Sequence, residues 1–302
     1  MSICDGRVVI VTGAGRGLGR AHALAFAAEG ANVVVNDLGA ALDGSASGES
    51  PADEVVAEIV AAGGQAFADG ADVADWNATG AMVQRTIDHF GRVDAIVNNA
   101  GFLRDRMFAT TSEEEWDAVI RVHLKGHFCT TRHCVNFWRD EAKAGRPVSG
   151  RIINTSSGAG LMGSVGQATY SAAKAGITAL TLVQAAELGR YGITANAIAP
   201  AARTRMTEAV FADTMAAPEA GGFDAMAPEN VSPLVVWLGS EESSDITGRV
   251  FEVEGGIISV ADGWQHGPRI DKGSRWNPGS VGDAVRDLIT HAPAPAPVYG
   301  GS

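Results

Sequence analysis

Cysteine is scarce in this chain of 302 residues, which holds only Cys4, Cys129 and Cys134. A small odd number argues against a disulfide framework and favours a reducing, cytoplasmic compartment. Aromatic residues make up 6 % of the chain and charged residues 19 %, against 46 % hydrophobic residues and 38 glycines. This composition is typical of a soluble α/β protein and excludes a disordered or collagen-like chain.

The sequence also lacks long apolar runs and an excess of positive charge. No apolar run reaches the ~18 residues of a membrane helix. The chain passes almost directly from Met1 into a strand-like segment, so we expect no signal peptide. The 23 Lys and Arg residues against 35 Asp and Glu give a net charge of −12. Such a surface disfavours nucleic acid and anionic lipid as partners, and an anionic ligand would need a local cationic pocket.

Short β-branched runs alternate with longer helical segments. The predicted strands are Val8–Val11, Val33–Val35, Ala66–Ala68, Ala95–Val97, Arg151–Asn154, Thr194–Ala199 and Val250–Val253. The predicted helices cover residues 17–29, 52–62, 75–90, 113–140, 169–190 and 230–239, and Ser112 with Glu115 predicts a capping box at the fourth. Strands separated by helices predict a doubly wound α/β fold with a seven-stranded parallel sheet and helices on both faces.

The alternation of strands and helices predicts one domain over residues 1–262, followed by a C-terminal extension over residues 263–302. The extension contains a predicted short helix from Ser280 to about Thr290 and an Ala-Pro tail. Alternating Ala-Pro cannot form a helix, so we expect the tail to be extended and mobile. A long small-residue loop from Leu38 to Pro51 is the other departure from a minimal α/β pattern.

A glycine-rich turn, Thr12-Gly13-Ala14-Gly15-Arg16-Gly17-Leu18-Gly19, follows the first predicted strand. Glycines permit a tight turn and the close approach of a pyrophosphate, and the next helix offers its N-terminal N–H groups to that charge. The turn lacks the Gly-Lys-Ser/Thr ending of a P-loop. Eighteen residues beyond Gly19, the second strand ends at Asp37, whose carboxylate can accept hydrogen bonds from an adenosine ribose. The sequence therefore predicts a dinucleotide site.

Two residues bear on which dinucleotide binds. A 2′-phosphate beside the Asp37 carboxylate would cost up to ~4 kcal/mol at 4 Å and an effective dielectric constant near 20. Arg16, within the turn, favours the opposite choice because it could pair with that phosphate. We give Asp37 more weight, since it ends the strand that contacts the ribose, and predict NAD.

Tyr170 and Lys174 lie four residues apart on the predicted helix 169–190, so they share one face. An ammonium group stabilises tyrosinate, and lowering a tyrosine pKa by about three units requires ~4 kcal/mol. Lys174 and a nicotinamide cation could supply this together. Ser157 ends the fifth strand, where the ligand crevice of such sheets lies, and its hydroxyl could bind the same substrate oxygen. Each residue alone has an ordinary structural explanation, but behind a dinucleotide turn the three together predict a catalytic site.

At these motifs the chain resembles the short-chain dehydrogenase/reductase family, whose fold is of the Rossmann type. The matching elements run in family order over residues 6–260: Thr12-Gly13-x-x-x-Gly17-x-Gly19, Asp72-Val73, Asn98-Asn99-Ala100-Gly101, Ser157, Tyr170-x-x-x-Lys174 and Asn196-Ala197-Ile198-Ala199-Pro200. The resemblance implies that Tyr170 is the general acid/base, that Lys174 holds the nicotinamide ribose and lowers the tyrosine pKa, and that Ser157 orients the substrate. It also implies that Asp72 and Val73 hold the adenine and that Asn99, Ala100 and Gly101 lie behind the cofactor. The full predicted cofactor set is Gly13, Arg16, Gly17, Leu18, Gly19, Asp37, Asp72, Val73, Asn99, Ala100, Gly101, Tyr170, Lys174 and Pro200.

Two positions depart from the family pattern. His123 stands where a fourth catalytic residue is usually Asn, and Pro200-Ala201 replaces the usual Pro-Gly. The His123 substitution is shared with one branch of the family, as are the segments Val35–Gly39, Phe102–Arg106, Arg121–Gly126 and Phe251–Val253. That branch contains the hydroxyacyl-CoA dehydrogenase domain of peroxisomal multifunctional enzyme type 2, also called 17β-hydroxysteroid dehydrogenase type 4, and bacterial relatives in steroid degradation. This similarity implies NAD-dependent oxidation of a (3R)-hydroxyacyl-CoA, such as a steroid side-chain ester, or of a steroid 17β-hydroxyl.

Several alternatives stay open. The arginines Arg104, Arg106, Arg203 and Arg205 either form a pocket for CoA phosphates or are solvated loop residues. The segment from Thr204 to Ala227 falls where the family keeps a substrate lid, and its Met and Phe residues suit an apolar substrate. A catalytically silent NAD-binding sensor on the same fold is the remote alternative.

Metal binding and oligomerisation can also be weighed from the sequence. His123, His127, Cys129, His133 and Cys134 resemble metal-ligand spacing, but successive helix turns spread them around the axis, so we predict no metal site. By family resemblance we expect a homodimer or homotetramer that uses helices 113–140 and 169–190.

Overall fold

The computed structural model describes residues 2–39, 50–204, 222–261 and 263–300. These residues form one sheet in the order β3-β2-β1-β4-β5-β6-β7-β8. The strands are β1 (Val8–Thr12), β2 (Asn32–Asn36), β3 (Gln65–Asp69), β4 (Ala95–Asn98), β5 (Gly150–Thr155), β6 (Ile193–Ala201), β7 (Val250–Glu254) and β8 (Ile257–Val260). The helices are α1 (Gly17–Ala28), α2 (Pro51–Ala61), α3 (Trp76–Phe90), α4 (Glu113–Ile120), α5 (Gly126–Lys143), α6 (Gly158–Met162), α7 (Ala168–Leu188), α8 (Ser232–Gly239) and α9 (Val281–His291).

The seven predicted strands are parallel, as expected. Side chains of β1 alternate between two buried clusters, with Val9 and Val11 facing Phe26 of α1 on one side and Ile10 facing Trp138 of α5 on the other. Burial on both faces explains why these strands are continuous apolar runs. Because the strand order reverses between β1 and β4, the crevice beyond their carboxyl ends is where a ligand binds in such sheets.

The eighth strand, β8, is a difference from the predicted seven-stranded parallel sheet. It pairs antiparallel with β7, with Val253 opposite Ile258. Gly255, at φ 53°, and Gly256 form the turn between them. A Gly-Gly pair between two apolar runs is a hairpin signal. β8 has only four residues and follows β7 after this two-residue turn, so it is a hairpin partner of β7 and not a further parallel strand.

The single helix predicted over 113–140 is divided into two. The capping box of Ser112 and Glu115 is confirmed, with Glu115 N donating to Ser112 Oγ over 3.2 Å. After α4, residues Arg121–Lys125 form one π-helical turn before α5 begins. The wider turn places His123 inside the protein, where it is 1 % exposed. Such π-helical turns occur frequently at functional sites.

The end of the C-terminal extension contacts the loop that follows α6. The Tyr299 N–H donates to the carbonyl oxygen of Gly163 over 3.2 Å, and the Val165 N–H donates to the carbonyl oxygen of Tyr299 over 2.9 Å. The extended Ala-Pro stretch carries the chain to this contact, because proline-rich segments are stiff spacers. Residues 298–300 therefore lie against the loop after α6, and the mobility of the tail stays a prediction.

Two predicted segments lie largely outside the described residues: the loop from Leu38 to Pro51, at 40–49, and the lid from Thr204 to Ala227, at 205–221, which includes Arg205. Among the helices that are described, none combines the length and apolar character needed to cross a membrane.

Three buried histidines make the stability of the fold depend on pH. Burial lowers the pKa of His22 and of His123 to about 3 and brings the pKa of His127 well below its usual value. These imidazoles stay neutral in the folded chain but take up protons below about pH 6.5 once unfolded. Their contribution to stability is therefore complete above that pH and is lost as the pH falls. From about pH 7.5 to about pH 5.5 we expect the free energy of unfolding to decrease by ~1.4 kcal/mol for each histidine, measured by urea denaturation.

A variant of one histidine separates this effect from other titrations. His22 Nδ1 lies 2.9 Å from the Ser232 hydroxyl, a contact that the amide of His22→Asn can replace. This variant should lose about a third of the pH dependence, since one of three linked protons is removed. An unchanged slope would contradict the assignment of His22.

Candidate active site

The glycine-rich turn joins β1 to α1 and leaves no room for a side chain at Gly13 or Gly19. Gly13 and Gly17 have φ angles of 62° and 54°, which favour glycine. A Cβ added at Gly19 would lie 2.1 Å from the carbonyl oxygen of Gly13, and one at Gly13 would lie 2.8 Å from Cα of Ala100. The turn is thus a bare backbone surface that a pyrophosphate can approach closely.

The start of α1 completes this surface. Arg16 is the N-cap residue in an extended conformation, and its side chain makes no capping hydrogen bond. The first turn, which contains Leu18, also holds no acidic residue. The N-terminal N–H groups and the positive end of the helix dipole are therefore suited to an anion, so the turn fits the phosphates of a dinucleotide.

Asp37 lies beside this turn, where the sequence predicts the ribose contact. Its Oδ2 accepts a hydrogen bond from Gly15 N over 2.9 Å, and its Oδ1 accepts one from Gly39 N over 2.8 Å. The carboxylate is therefore held by two backbone donors at the carboxyl end of β2. The structure brings Asp37 to the rim of the glycine turn.

The residues after β4 lie behind the same turn. Asn99 Nδ2 donates to the carbonyl oxygens of Thr12, over 2.9 Å, and Gly13, over 3.2 Å. Ala100 N donates to Thr12 Oγ1 over 3.2 Å. Gly101 lies under His123, since a Cβ added there would be 2.2 Å from Cε1 of the imidazole. These contacts fix the shape of the predicted cofactor surface.

The other predicted cofactor residues lie at the same edge of the sheet. Asp72 follows β3, accepts a hydrogen bond from Ala74 N over 2.9 Å and forms an ion pair with Arg121 of the π-helical turn. Val73 is buried against Gly126. Pro200 lies near the carboxyl end of β6, opposite Val253. Asp72 and Pro200 therefore lie at the carboxyl ends of β3 and β6, on the edge of the sheet where β1 passes into the glycine turn.

Ser157, Tyr170 and Lys174 are brought together at the carboxyl end of β5. Ser157 is the N-cap of α6 and shares a hydrogen bond with Tyr170. Tyr170 and Lys174 lie one turn apart on α7, with Lys174 Nζ 5.4 Å from the centre of the phenol ring. Lys174 Nζ also donates to the carbonyl oxygen of Thr155 over 2.7 Å, which directs the amine into the crevice.

The polypeptide alone does not lower the pKa of Tyr170. Burial raises that pKa to about 12, and the charge of Asp105 acts in the same direction, while the hydrogen bond from Ser157 opposes both. Burial also lowers the pKa of Lys174 to about 7. In the protein without a cofactor the two buried groups both favour their neutral forms. The lowering of the tyrosine pKa by Lys174 together with a nicotinamide cation stays a prediction for the cofactor-bound protein.

His123 positions the loop beside the phenol. Its Nε2 lies 2.7 Å from the carbonyl oxygen and 3.1 Å from the backbone nitrogen of Phe102, and its ring lies edge-on to Tyr170 with centres 5.3 Å apart. Burial, followed by the charge of Lys174, lowers the pKa of His123 to about 3, so the imidazole is neutral near pH 7. Within the described ranges, no three His, Cys, Asp or Glu side chains are arranged to hold a metal ion.

Two of the arginines considered for CoA phosphates are paired with carboxylates. Arg106 Nε lies 2.9 Å from Glu115 Oε1, and Arg203 forms an ion pair with Asp224. The guanidinium of Arg104 lies over the Phe102 ring at 5.5 Å from its centre. The three described arginines therefore have partners within the chain, which favours the alternative of ordinary loop residues.

A buried polar network below the site was missed by sequence reasoning. Asn98 Nδ2 donates to Thr131 Oγ1 over 2.8 Å and to Asn154 Oδ1 over 2.9 Å. Asn154 Nδ2 in turn donates to Thr181 Oγ1 and to Gln184 Oε1, each over 2.9 Å. The signal in the sequence is an asparagine at the end of two apolar strands, because a buried amide requires partners. The network ties β4 and β5 to α5 and α7.

Comparison with known proteins identifies the family of the chain. The sequence pattern of the family described as short chain dehydrogenase matches residues 7–214. The hydroxyacyl-CoA dehydrogenase ChsB1 of Mycobacterium tuberculosis is 47 % identical over 290 residues, 94 % of this chain and 89 % of that protein. Peroxisomal multifunctional enzyme type 2 of Mus musculus is 48 % identical over 254 residues, 84 % of this chain and 32 % of that enzyme. This chain therefore spans about a third of the multifunctional enzyme.

A solved structure agrees over nearly the whole chain. The crystal structure of a short chain dehydrogenase from Mycobacterium avium is 66 % identical, with a TM-score of 0.90, and covers 99 % of this chain and 100 % of that one. The resemblance found in the motifs is confirmed, and the chain belongs to the short-chain dehydrogenase/reductase family of oxidoreductases.

Proposed function

We propose that this protein is an NAD-dependent dehydrogenase that oxidises the secondary hydroxyl of a 3-hydroxyacyl-CoA to a ketone. The observation that carries the proposal is the meeting of Ser157, Tyr170 and Lys174 at the crevice beside the glycine turn. The choice of substrate is supported by the hydroxyacyl-CoA dehydrogenase that is 47 % identical.

The proposed chemistry assigns one step to each of the three residues. Ser157 donates a hydrogen bond to the substrate oxygen, and Tyr170 removes the hydroxyl proton. Lys174 binds the nicotinamide ribose and, as a cation, stabilises the tyrosinate. When bound, NAD supplies the hydride acceptor and a positive charge near the phenol. Positioned acid–base help of this kind typically contributes about 10²–10⁴-fold to the rate.

The chain's own residues fit the dinucleotide. The exposed backbone of Gly13 and Gly19 and the start of α1, whose first turn holds no acidic residue, suit its phosphates. The carboxylate of Asp37 at the rim of the turn favours the ribose of NAD over the 2′-phosphate of NADP. His123 keeps the loop from Phe102 onward in place behind the reacting groups, as a neutral imidazole whose Nε2 contacts the Phe102 backbone.

The experiment measures NADH formation with matched pairs of alcohols. The value of kcat/KM is compared for a (3R)-3-hydroxyacyl-CoA and for the same hydroxy acid without CoA, and hydroxysteroids are added to the panel. We expect the thioester to be favoured by about tenfold or more, equivalent to ~1.4 kcal/mol of transition-state binding.

The other outcomes identify the alternatives. Higher kcat/KM with a free hydroxysteroid would replace the proposal with a 17β-hydroxysteroid dehydrogenase. If no compound of the panel yields NADH while calorimetry still detects NAD binding, a catalytically silent sensor on the same fold would be favoured.

A further inference from the structure

The C-terminal tail of the chain lies on the loop that connects Ser157 to Tyr170. This loop, residues 163–167, runs from the end of α6 to the start of α7. Ser164 and Tyr299 form a parallel β-bridge, closed by the two backbone hydrogen bonds between Tyr299 and the residues Gly163 and Val165. The tail is therefore placed by its backbone within a few residues of two groups of the active site.

The side chain of Tyr299 packs against the residue that follows Ser157. A Cβ added at Gly158 would lie 2.9 Å from both Cε2 and Oη of Tyr299. Only glycine leaves space for this ring, because real Cβ atoms do not approach other atoms so closely. One side of the phenol ring is therefore in contact with the turn of Ser157, while the residue as a whole remains 49 % exposed.

Tyr299 belongs to a continuous apolar surface, which we call the apolar rim. Val298 lies 3.5 Å from the position of a Cβ at Gly163, and Met107 Sδ lies 4.0 Å from that of a Cβ at Gly166. The rim consists of six exposed large hydrophobic residues: Met107, Phe108, Met162, Val165, Val298 and Tyr299. From Phe108 it continues into a groove of about 220 Å³ that reaches Trp116 and Thr169, the neighbour of Tyr170.

Exposed apolar surface of this kind marks a binding site. We propose that Val298 and Tyr299 complete the substrate site and that the apolar rim binds the acyl group of a long or ring-bearing substrate. This inference rests on the proposed function, which places the substrate hydroxyl between Ser157 and Tyr170. A substituent that extends from the carbinol carbon past Gly158 meets the ring of Tyr299. A single methyl group is too short to reach along the rim, whereas a long acyl chain covers it.

The test compares a long and a short substrate. The ratio of kcat/KM for 3-hydroxyhexadecanoyl-CoA to that for 3-hydroxybutyryl-CoA is measured for the full chain, for a chain ending at Pro297 and for Tyr299→Ala. We expect both changes to lower the ratio by about tenfold or more through a higher KM for the long substrate, because apolar contact is lost. Tyr299→Phe should keep the ratio, since it keeps the ring. Ile289→Ala, an exposed position of the same extension, is the matched control and should leave the ratio unchanged.

A second measurement checks the contact itself. Hydrogen exchange of the Val165 amide, which donates to Tyr299 in the full chain, should be faster in the chain that ends at Pro297.

An unchanged exchange rate or an unchanged ratio would overturn the inference. A lower KM for both substrates in Tyr299→Ala would also overturn it, because the tail would then obstruct the site. If the full chain oxidises neither thioester, the proposed function fails and the inference with it; if it oxidises both and only the ratio is unaffected, the inference alone fails.

Discussion

Tyr170→Phe is expected to lower kcat by roughly 10²–10⁴-fold while the affinity for NAD stays within about a few-fold. The substitution removes the phenolic oxygen that shares a hydrogen bond with Ser157 and keeps the ring that lies edge-on to His123. The cofactor surface at the glycine turn is built from other residues, so binding should be retained. The rate of NADH formation gives kcat, and calorimetric titration gives the dissociation constant of NAD.

The chain offers a matched control for this variant. Tyr191 lies in a 3₁₀ turn after α7, packs against the core below the sheet and stacks with the guanidinium of Arg190 at 4.8 Å. Tyr191→Phe also removes one phenolic oxygen and should leave kcat unchanged. Turnover of Tyr170→Phe above about a tenth of the original value would contradict the assignment of Tyr170, since general acid–base groups contribute more than this.

Much of the crevice could be predicted because it depends on local pattern. The glycine turn, Asp37 at the end of β2 and Ser157 at the end of β5 all follow apolar strands, and parallel strands bring their carboxyl ends to one edge. Tyr170 and Lys174 share a helix face by their spacing alone. These predictions need only the positions of strands and helices.

The features that could not be predicted depend on contacts between distant residues. His123 faces inward because of one π-helical turn in a segment whose sequence is otherwise that of a continuous helix. The partner of Lys174 Nζ is a backbone carbonyl at Thr155, which no side-chain pattern reveals. The pKa of Tyr170 is raised because the fold buries its side chain. The contact between the Tyr299 ring and Gly158 forms only once α6 and α7 are in place.

Replacing Asp37 by Ala is expected to raise the ratio of kcat/KM for NADP to that for NAD by about 10²–10³-fold. The carboxylate lies at the rim of the glycine turn, held by the N–H groups of Gly15 and Gly39. A 2′-phosphate placed there meets a like charge, and the substitution removes both this repulsion and the acceptor for the ribose hydroxyls of NAD. The measurement is the initial rate with each dinucleotide over a range of concentrations.

Asp37→Asn separates the charge of this residue from its shape. The amide keeps one oxygen that can accept from Gly15 N or from a ribose hydroxyl but carries no charge, so the repulsion of a phosphate disappears while part of the NAD contact remains. We therefore expect Asn to improve the use of NADP nearly as much as Ala does and to weaken NAD less. If Ala changes the preference and Asn does not, the carboxylate acts by holding the backbone of the turn rather than by repelling phosphate. A preference of the unmodified chain for NADP would contradict the proposal of NAD directly. The repulsion between the Asp37 carboxylate and the 2′-phosphate would then have to be offset by a cation closer to the phosphate.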